Sequence, residues 1–193
     1  MGMTHVSALT RRATDMDPHP PTEISILSHL LPGDAGFPNN PRLPLLIYQQ
    51  VFPQGEFDVA AELERLFKRN QWKGQWRNGV FSYHHFHSNA HEVLGICRGS
   101  AELQFGGPGG PILTIDAGDV AILPAGTGHK RVKATEDFLV VGAYPSGQED
   151  YDLLRGDPEE RPAAEERIAA VSLPQNDPVY GPQGPLFDHW EKG

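Results

Sequence analysis

The chain has 193 residues, a net charge of −9 and a pI near 5.4. Its basic residues form only short pairs, such as Arg11-Arg12 and Lys130-Arg131, which argues against nucleic acid and an anionic membrane surface as partners, because phosphate contacts need clustered Lys and Arg. The length suits one domain with a substantial core, and a single cysteine, Cys97, excludes an intrachain disulfide and an all-cysteine metal site and fits a reducing, cytoplasmic compartment.

In chain order, residues 1–22 end in DPHPPT and show no apolar periodicity, so they read as a disordered tail. Residues 23–78 read as an N-terminal arm and a helix packed on the strands of residues 79–145. PGDAGFPNNP is turn chemistry, and LPLLIYQQVF is a strand rich in branched and aromatic residues. LPLLIY, among the longest apolar runs, is far short of the roughly 20 residues that span a bilayer. Between Asp58 and Asn70, Val59, Leu63, Leu66 and Phe67 recur at helical spacing, Asp58 can cap the start, and Lys68-Arg69 suit the negative end of the helix.

Past Trp72 and Trp76, residues 79–145 hold short strands, VFSYHHFH, HEVLGICRG, SAELQF, ILTI, DVAILP, KRVKA and DFLVVGAYP, punctuated by Gly, Pro and Asp as in antiparallel barrels and sandwiches. FGGPGGP, between two strand-like runs, is a hairpin turn, since a phosphate loop needs a helix after it. Residues 146–193 form an acidic, loop-rich extension with a short helix in PAAEERIAAV, where Pro162 fits the first turn.

The chemistry concentrates in YHHFHSNAHE, residues 83–92, which carries four of the nine histidines. On a strand, His85 and His87 share one face and His84 and Phe86 the other. A turn at Ser88-Asn89-Ala90 returns Glu92 beside His85 and His87 on a face that continues through Leu94 and Ile96, while His91, Val93, Gly95 and Cys97 take the opposite one. In PAGTGH, residues 124–129, the glycines permit a tight reversal that places His129 at a strand start. Three imidazoles and a carboxylate suit a divalent transition metal (Fe, Mn, Ni, Co or Zn), and a six-coordinate ion would keep two positions open.

These residues also carry a family resemblance. Gly79, five residues, His85, one, His87, four, Glu92, six, Gly99 resembles the first cupin motif, and Gly118, five, Pro124, one, Gly126, two, His129 resembles the second. Lys133 stands where the second motif usually closes with Asn. PNNPRLPLLIY, HFHSNAHEVLGI, PAGTGH and VVGAYPSGQ are similar to the YjlB-like subgroup, over roughly residues 36–184. The resemblance implies an all-β fold, the cupin double-stranded β-helix or jelly-roll barrel, with a metal in its mouth and an N-terminal arm through which barrels of this kind pair as homodimers.

Two functions are expected on this basis. The first is a metal-dependent small-molecule enzyme, either a dioxygenase-like oxidoreductase or an isomerase/lyase acting on a hydroxy-carbonyl compound, with His85, His87, Glu92 and His129 as metal ligands and Glu92 as ligand or catalytic base. The second is a non-catalytic module that binds a metal or a sugar-like ligand. Either takes a small molecule as partner. His84 and His91 read as packing residues, Cys97 as an inert filler, and Trp72, Trp76, Phe81 and Phe105 as core and rim fillers. Arg42 and Tyr48 lie on the arm, within possible reach of the barrel mouth.

Overall fold

The computed structural model describes residues 16–53 and 55–190; residues 1–15 of the expected tail lie outside the described residues. Among the described residues, nine strands and three α-helices succeed one another as β1 (Ser25–His29), β2 (Leu45–Gln49), α1 (Val59–Arg69), β3 (Trp72–Asn78), β4 (Glu92–Arg98), β5 (Ser100–Phe105), β6 (Ile112–Asp116), β7 (Val120–Leu123), β8 (His129–Ala134), β9 (Leu139–Pro145), α2 (Arg161–Ala170) and α3 (Leu186–Trp190). Six strands form one antiparallel sheet in the order β1-β2-β7-β4-β9-β3, and three form a second in the order β6-β5-β8.

The inner strands of the larger sheet, β2, β7, β4 and β9, are covered on both faces, which explains their nearly unbroken apolar sequences. Leu46, Tyr48, Val93, Ile122 and Val141 pack outward beneath α1 and the C-terminal segment, joined by Leu63, Leu66, Phe67, Trp72 and Trp190. Leu45, Ile47, Leu94, Ile96, Ala121, Leu123 and Val140 point inward to Leu103, Phe105 and Ile115 of the smaller sheet. Alternation therefore separates two apolar surroundings rather than core from solvent. The helix α1 begins as its sequence predicts: Asp58 accepts the Ala61 N–H at 3.2 Å, and Lys68 and Arg69 lie in the last turn. It lies close on β4 at Gly95, where an added Cβ would stand 2.8 Å from a Leu63 methyl.

The result is a mixed fold of two antiparallel sheets with few helices, resembling the double-stranded β-helix. Among the described residues, the two sheets do not close into the expected all-β jelly-roll barrel. Residues 80–87, read as a strand, instead make two single bridges, His85 with His129 and Phe86 with Leu154. Successive residues there bond different partners, so no ladder propagates across the gap between the sheets. The hairpin at residues 105–111 is present, with Gly106 and Gly107 at φ of 88° and 93°. Strands β1 and β3 and helix α3 were not anticipated from the sequence.

Candidate functional site

His85 and His129 exchange backbone hydrogen bonds, 3.1 Å from the His85 N–H and 2.9 Å from the His129 N–H. The His87 carbonyl accepts the N–H of Gly126 at 2.8 Å, where a φ of 95° favours glycine. Two distant segments are thereby stitched together along their backbones. Glu92 opens β4 opposite Leu123. These constraints bring His85, His87, Glu92 and His129 to one cavity of about 360 Å³, whose wall also includes Trp76, Arg77, Phe81, Leu94, Tyr144 and Tyr151.

A carbonyl acceptor stands beside Nδ1 of each of the three imidazoles: Tyr83 for His85 at 3.2 Å, Asp152 for His87, and Thr127 for His129 at 3.0 Å. A carbonyl can only accept, so each Nδ1 carries the proton and each Nε2 is an acceptor when the ring is neutral and a donor when it is charged. Glu92 Oε1 accepts the Tyr144 hydroxyl at 2.8 Å. Its Oε2 lies 3.5 Å from His87 Nε2 and 3.4 Å from His129 Nε2, distances of an ion pair with loose hydrogen bonding.

The charges are set by this packing. Burial pushes the Glu92 carboxyl up, but the His87 charge and the contacts from both imidazoles outweigh it and hold the group well below the usual carboxylate range. Burial likewise pulls His87 down, yet the Glu92 charge and the bonds to Glu92 and Asp152 leave it raised. His85, without such a partner, is held down to about 3 by burial and by His129 beside it. The Tyr144 phenol is raised by burial and by Glu92, which keeps it a neutral donor.

This arrangement overturns the expected metal centre. Glu92 Oε2 faces Nε2 of His87 and His129 at ion-pair distance, and the His85 ring lies against the ring of His129 with centroids 4.1 Å apart. Among the described residues, no group of three or more His, Cys, Asp or Glu side chains is placed to hold a metal ion. The 3-His/1-Glu divalent metal site, its Fe, Mn, Ni, Co or Zn cofactor, and the metal-dependent oxidoreductase, dioxygenase-like or isomerase/lyase activity built on it are corrected accordingly.

Other expected residues separate cleanly. His84 packs beside Phe37, at 5.4 Å between ring centroids, and His91 accepts the Ala125 N–H on Nδ1 at 2.9 Å against the Trp190 ring. Neither lines the cavity. Tyr48 is buried away from it, its hydroxyl donating to Asp177 at 2.7 Å, and Arg42 lies beside a different depression, near α2. Burial raises the Cys97 thiol to about 12, which makes it unreactive. Trp72 and Phe105 are core, whereas Trp76 and Phe81 face the cavity.

Sequence reasoning missed Tyr144, Tyr151 and Asp152. Tyr144 shares the inward parity of Gly142, which β9 sets opposite Leu94, so the strand order was the signal needed. Among the described residues, no helix is long and apolar enough to cross a membrane.

No family model matches the sequence. The chain is 41% identical over 165 residues to the uncharacterized protein YjlB of Bacillus subtilis (strain 168), with 86% of this chain and 96% of that one covered. Among solved structures it is similar to a conserved protein with a double-stranded β-helix domain from Klebsiella pneumoniae, at a TM-score of 0.35 and 14% identity over 81% of this chain and 100% of that one. It is also similar to acireductone dioxygenase from Bacillus anthracis, solved with a cadmium ion in its active centre, at a TM-score of 0.34 and 16% identity over 47% of this chain and 61% of that one.

Proposed function

We propose that this chain, which belongs to the YjlB-like family, binds a small, neutral, sugar-like molecule in the cavity between its two sheets. The observation that carries this reading is Glu92 Oε2. It is a buried carboxylate oxygen in the cavity wall with no hydrogen bond of good geometry, so a ligand hydroxyl would satisfy it. His87 and His129 beside it supply nitrogen donors or acceptors according to their charge, and His85 supplies an acceptor.

The walls complement that floor. Trp76, Phe81, Tyr144 and Tyr151 offer aromatic surface for the apolar C–H face of a sugar ring, and the volume falls within the range of about 300–1,000 Å³ typical of small-molecule sites. A buried anion disfavours a negatively charged ligand. Arg77, a cation in the wall, is bound by Glu64 through two contacts at 2.6 and 2.8 Å.

Titrating the full chain with neutral monosaccharides and the matching uronic acids, by calorimetry or ligand-observed NMR, tests the reading. Saturable binding should favour the neutral compounds, and Glu92→Gln should weaken it about tenfold. Failure of every neutral sugar to bind would sink the reading.

For the assembly, we propose a homodimer through the outer edge of β1, whose backbone groups pair, among the described residues, with β2 on one side only. Light scattering that finds a monomer at every concentration would remove it. A buried, unreactive Cys97 is consistent with the cytoplasmic location we assign to the protein.

A further inference from the structure

The wall that carries Tyr151 comes from outside both sheets. Residues 150–154 run as a short strap beside the 86–89 segment: Phe86 and Leu154 exchange backbone hydrogen bonds at 3.0 Å, the Asp152 N–H donates to Asn89 Oδ1 at 2.8 Å, and Asn89 Nδ2 donates to the Asp150 carbonyl at 3.0 Å. Within the strap, Tyr151 and Leu153 line the cavity while the Asp152 side chain turns to the 88–89 turn.

Asp152 is the fastening point. Its Oδ1 accepts the Ser88 N–H at 2.6 Å, its Oδ2 accepts the Ser88 hydroxyl, and Arg167 of α2 lies 3.4 Å from Oδ2 while donating to the same hydroxyl at 2.6 Å. Ser88 is fully buried. The backbone carbonyl of Asp152 accepts the Nδ1 proton of His87. One residue thus ties the strap to a buried turn and to a helix with its side chain, and orients a cavity imidazole with its main chain.

Resting on the ligand-binding reading above, we propose that Asp152 is a positioning residue: its carboxylate clamps the strap so that its carbonyl holds His87 with the proton on Nδ1 and Tyr151 stands as the stacking wall that selects ligands with a flat apolar ring face. The Tyr151 ring is held in the cavity wall by its aromatic neighbours. It stacks on Tyr144 with centroids 4.1 Å apart and meets the His87 ring edge-on at 4.7 Å. Loosening the clamp would free the imidazole to exchange tautomers and widen the cavity on the side where a ring would stack.

The experiment uses full-length Asp152→Ala, Asp152→Asn and Arg167→Gln. Long-range ¹⁵N–¹H spectra of the imidazoles, recorded at a pH above the raised His87 pKa so that the ring is neutral and with its signals assigned through His87→Gln, report which nitrogen carries the proton. Asp152→Ala should give a mixture of His87 tautomers, leave the His129 signals in place, and weaken binding of a pyranose about tenfold. Asp152→Asn, which keeps an oxygen for the Ser88 N–H, should restore most of both properties. Arg167→Gln, on a half-exposed position, should fold even if Asp152→Ala does not, and should shift His87 in the same direction by less.

A His87 that stays protonated on Nδ1 in both Asp152→Ala and Arg167→Gln, or in Arg167→Gln alone should the alanine variant not fold, overturns the clamp whatever the sugars do. A wild-type protein that binds no sugar overturns the ligand reading, and the tautomer spectra still decide the clamp.

Discussion

The same two sheets enclose two very different spaces. At one end Ile96, Leu103, Phe105, Ile115 and Val140 close into a dry cluster, each fully buried. At the other His85, His87, Glu92 and His129 stand around a cavity, equally hidden but polar. Leu94 belongs to both. The dry end holds the sheets together by removing apolar surface from water, and any one residue there can be exchanged for another of like volume. The polar end depends on partners, because an ionised carboxylate survives burial only when opposite charge and hydrogen bonds surround it. One end makes the fold, and the other is a site that the fold sustains.

The sharpest way to break the dry end is Leu103→Ala, which leaves a hole at a fully buried position of β5. Urea denaturation should show a loss of about 2–5 kcal/mol. The imidazole spectrum of His87 should be unchanged at pH 7. A shifted spectrum would mean that the two ends are mechanically coupled.

At the polar end, Glu92→Gln removes the charge that sustains the pair. His87 can discard its proton, so the cost should stay on the order of 2 kcal/mol, below that of stranding a permanent charge. Its titration should respond more clearly. With the Glu92 charge gone, burial is opposed only by the carbonyl and charge of Asp152, and the His87 pKa should fall from above the ordinary histidine value to below it. An NMR titration in which His87 stays raised would show that Asp152, not Glu92, carries the effect.

Acid should separate the neutral buried histidines from this pair. His91 is fully buried and held down to about 4, against an ordinary value of about 6.5 in the unfolded chain. Below pH 6.5 the unfolded chain takes up a proton that the folded one refuses, so stability falls as pH drops from about 6.5 toward 4 and levels off beneath. Between pH 6.5 and 5 this amounts to about 2 kcal/mol. His85 acts in the same direction.

His87, raised, has the opposite sign: its contribution is complete below the unfolded value and fades as pH rises through the folded one. The stability conferred by Glu92, lowered, is lost only below the ordinary carboxylate range. Comparing denaturation of the wild type and His91→Asn at pH 7 and pH 5 checks this. The variant should show the shallower slope.

These contrasts mark what was legible in the sequence. Strand parity placed His85, His87 and Glu92 together and sent Val93 and Cys97 beneath α1, because the direction of each Cβ is set by period-two geometry. The capped helix was legible for the same local reasons. Parity carries no information about ring orientation or protons, so the spacing that predicts a coordination shell also describes an imidazole–carboxylate pair. β1 and β3 escaped notice because SILSH and WKGQWRN sit at the two edges of the large sheet, with half-exposed, weakly apolar sequences. Tyr144, Tyr151 and Asp152 reach the site from more than 50 residues past His87, and their placement depends on strand order and on the strap.

The smallest expected effect concerns the rim between the two ends and the solvent. Arg77 lines the cavity but is tied to Glu64 of α1, and both side chains are partly exposed, 42% and 32%. An exposed pair of this kind contributes about 0–1 kcal/mol, because water already solvates both charges. Glu64→Gln should therefore scarcely change the denaturation midpoint. Its effect belongs to selectivity. The hydrogen bonds from Arg77 hold the Glu64 carboxyl below its usual range, so the pair is ionised at neutral pH and neutralises the guanidinium at the rim. Once Glu64 is neutral, that cation is free to attract an acidic ligand, while contacts to a neutral sugar are untouched. A uronic acid should gain affinity in the variant, most at low ionic strength, and the matching neutral sugar should not. Equal behaviour of both compounds would show that Arg77 faces solvent rather than the bound ligand, and would confine recognition to the buried floor around Glu92.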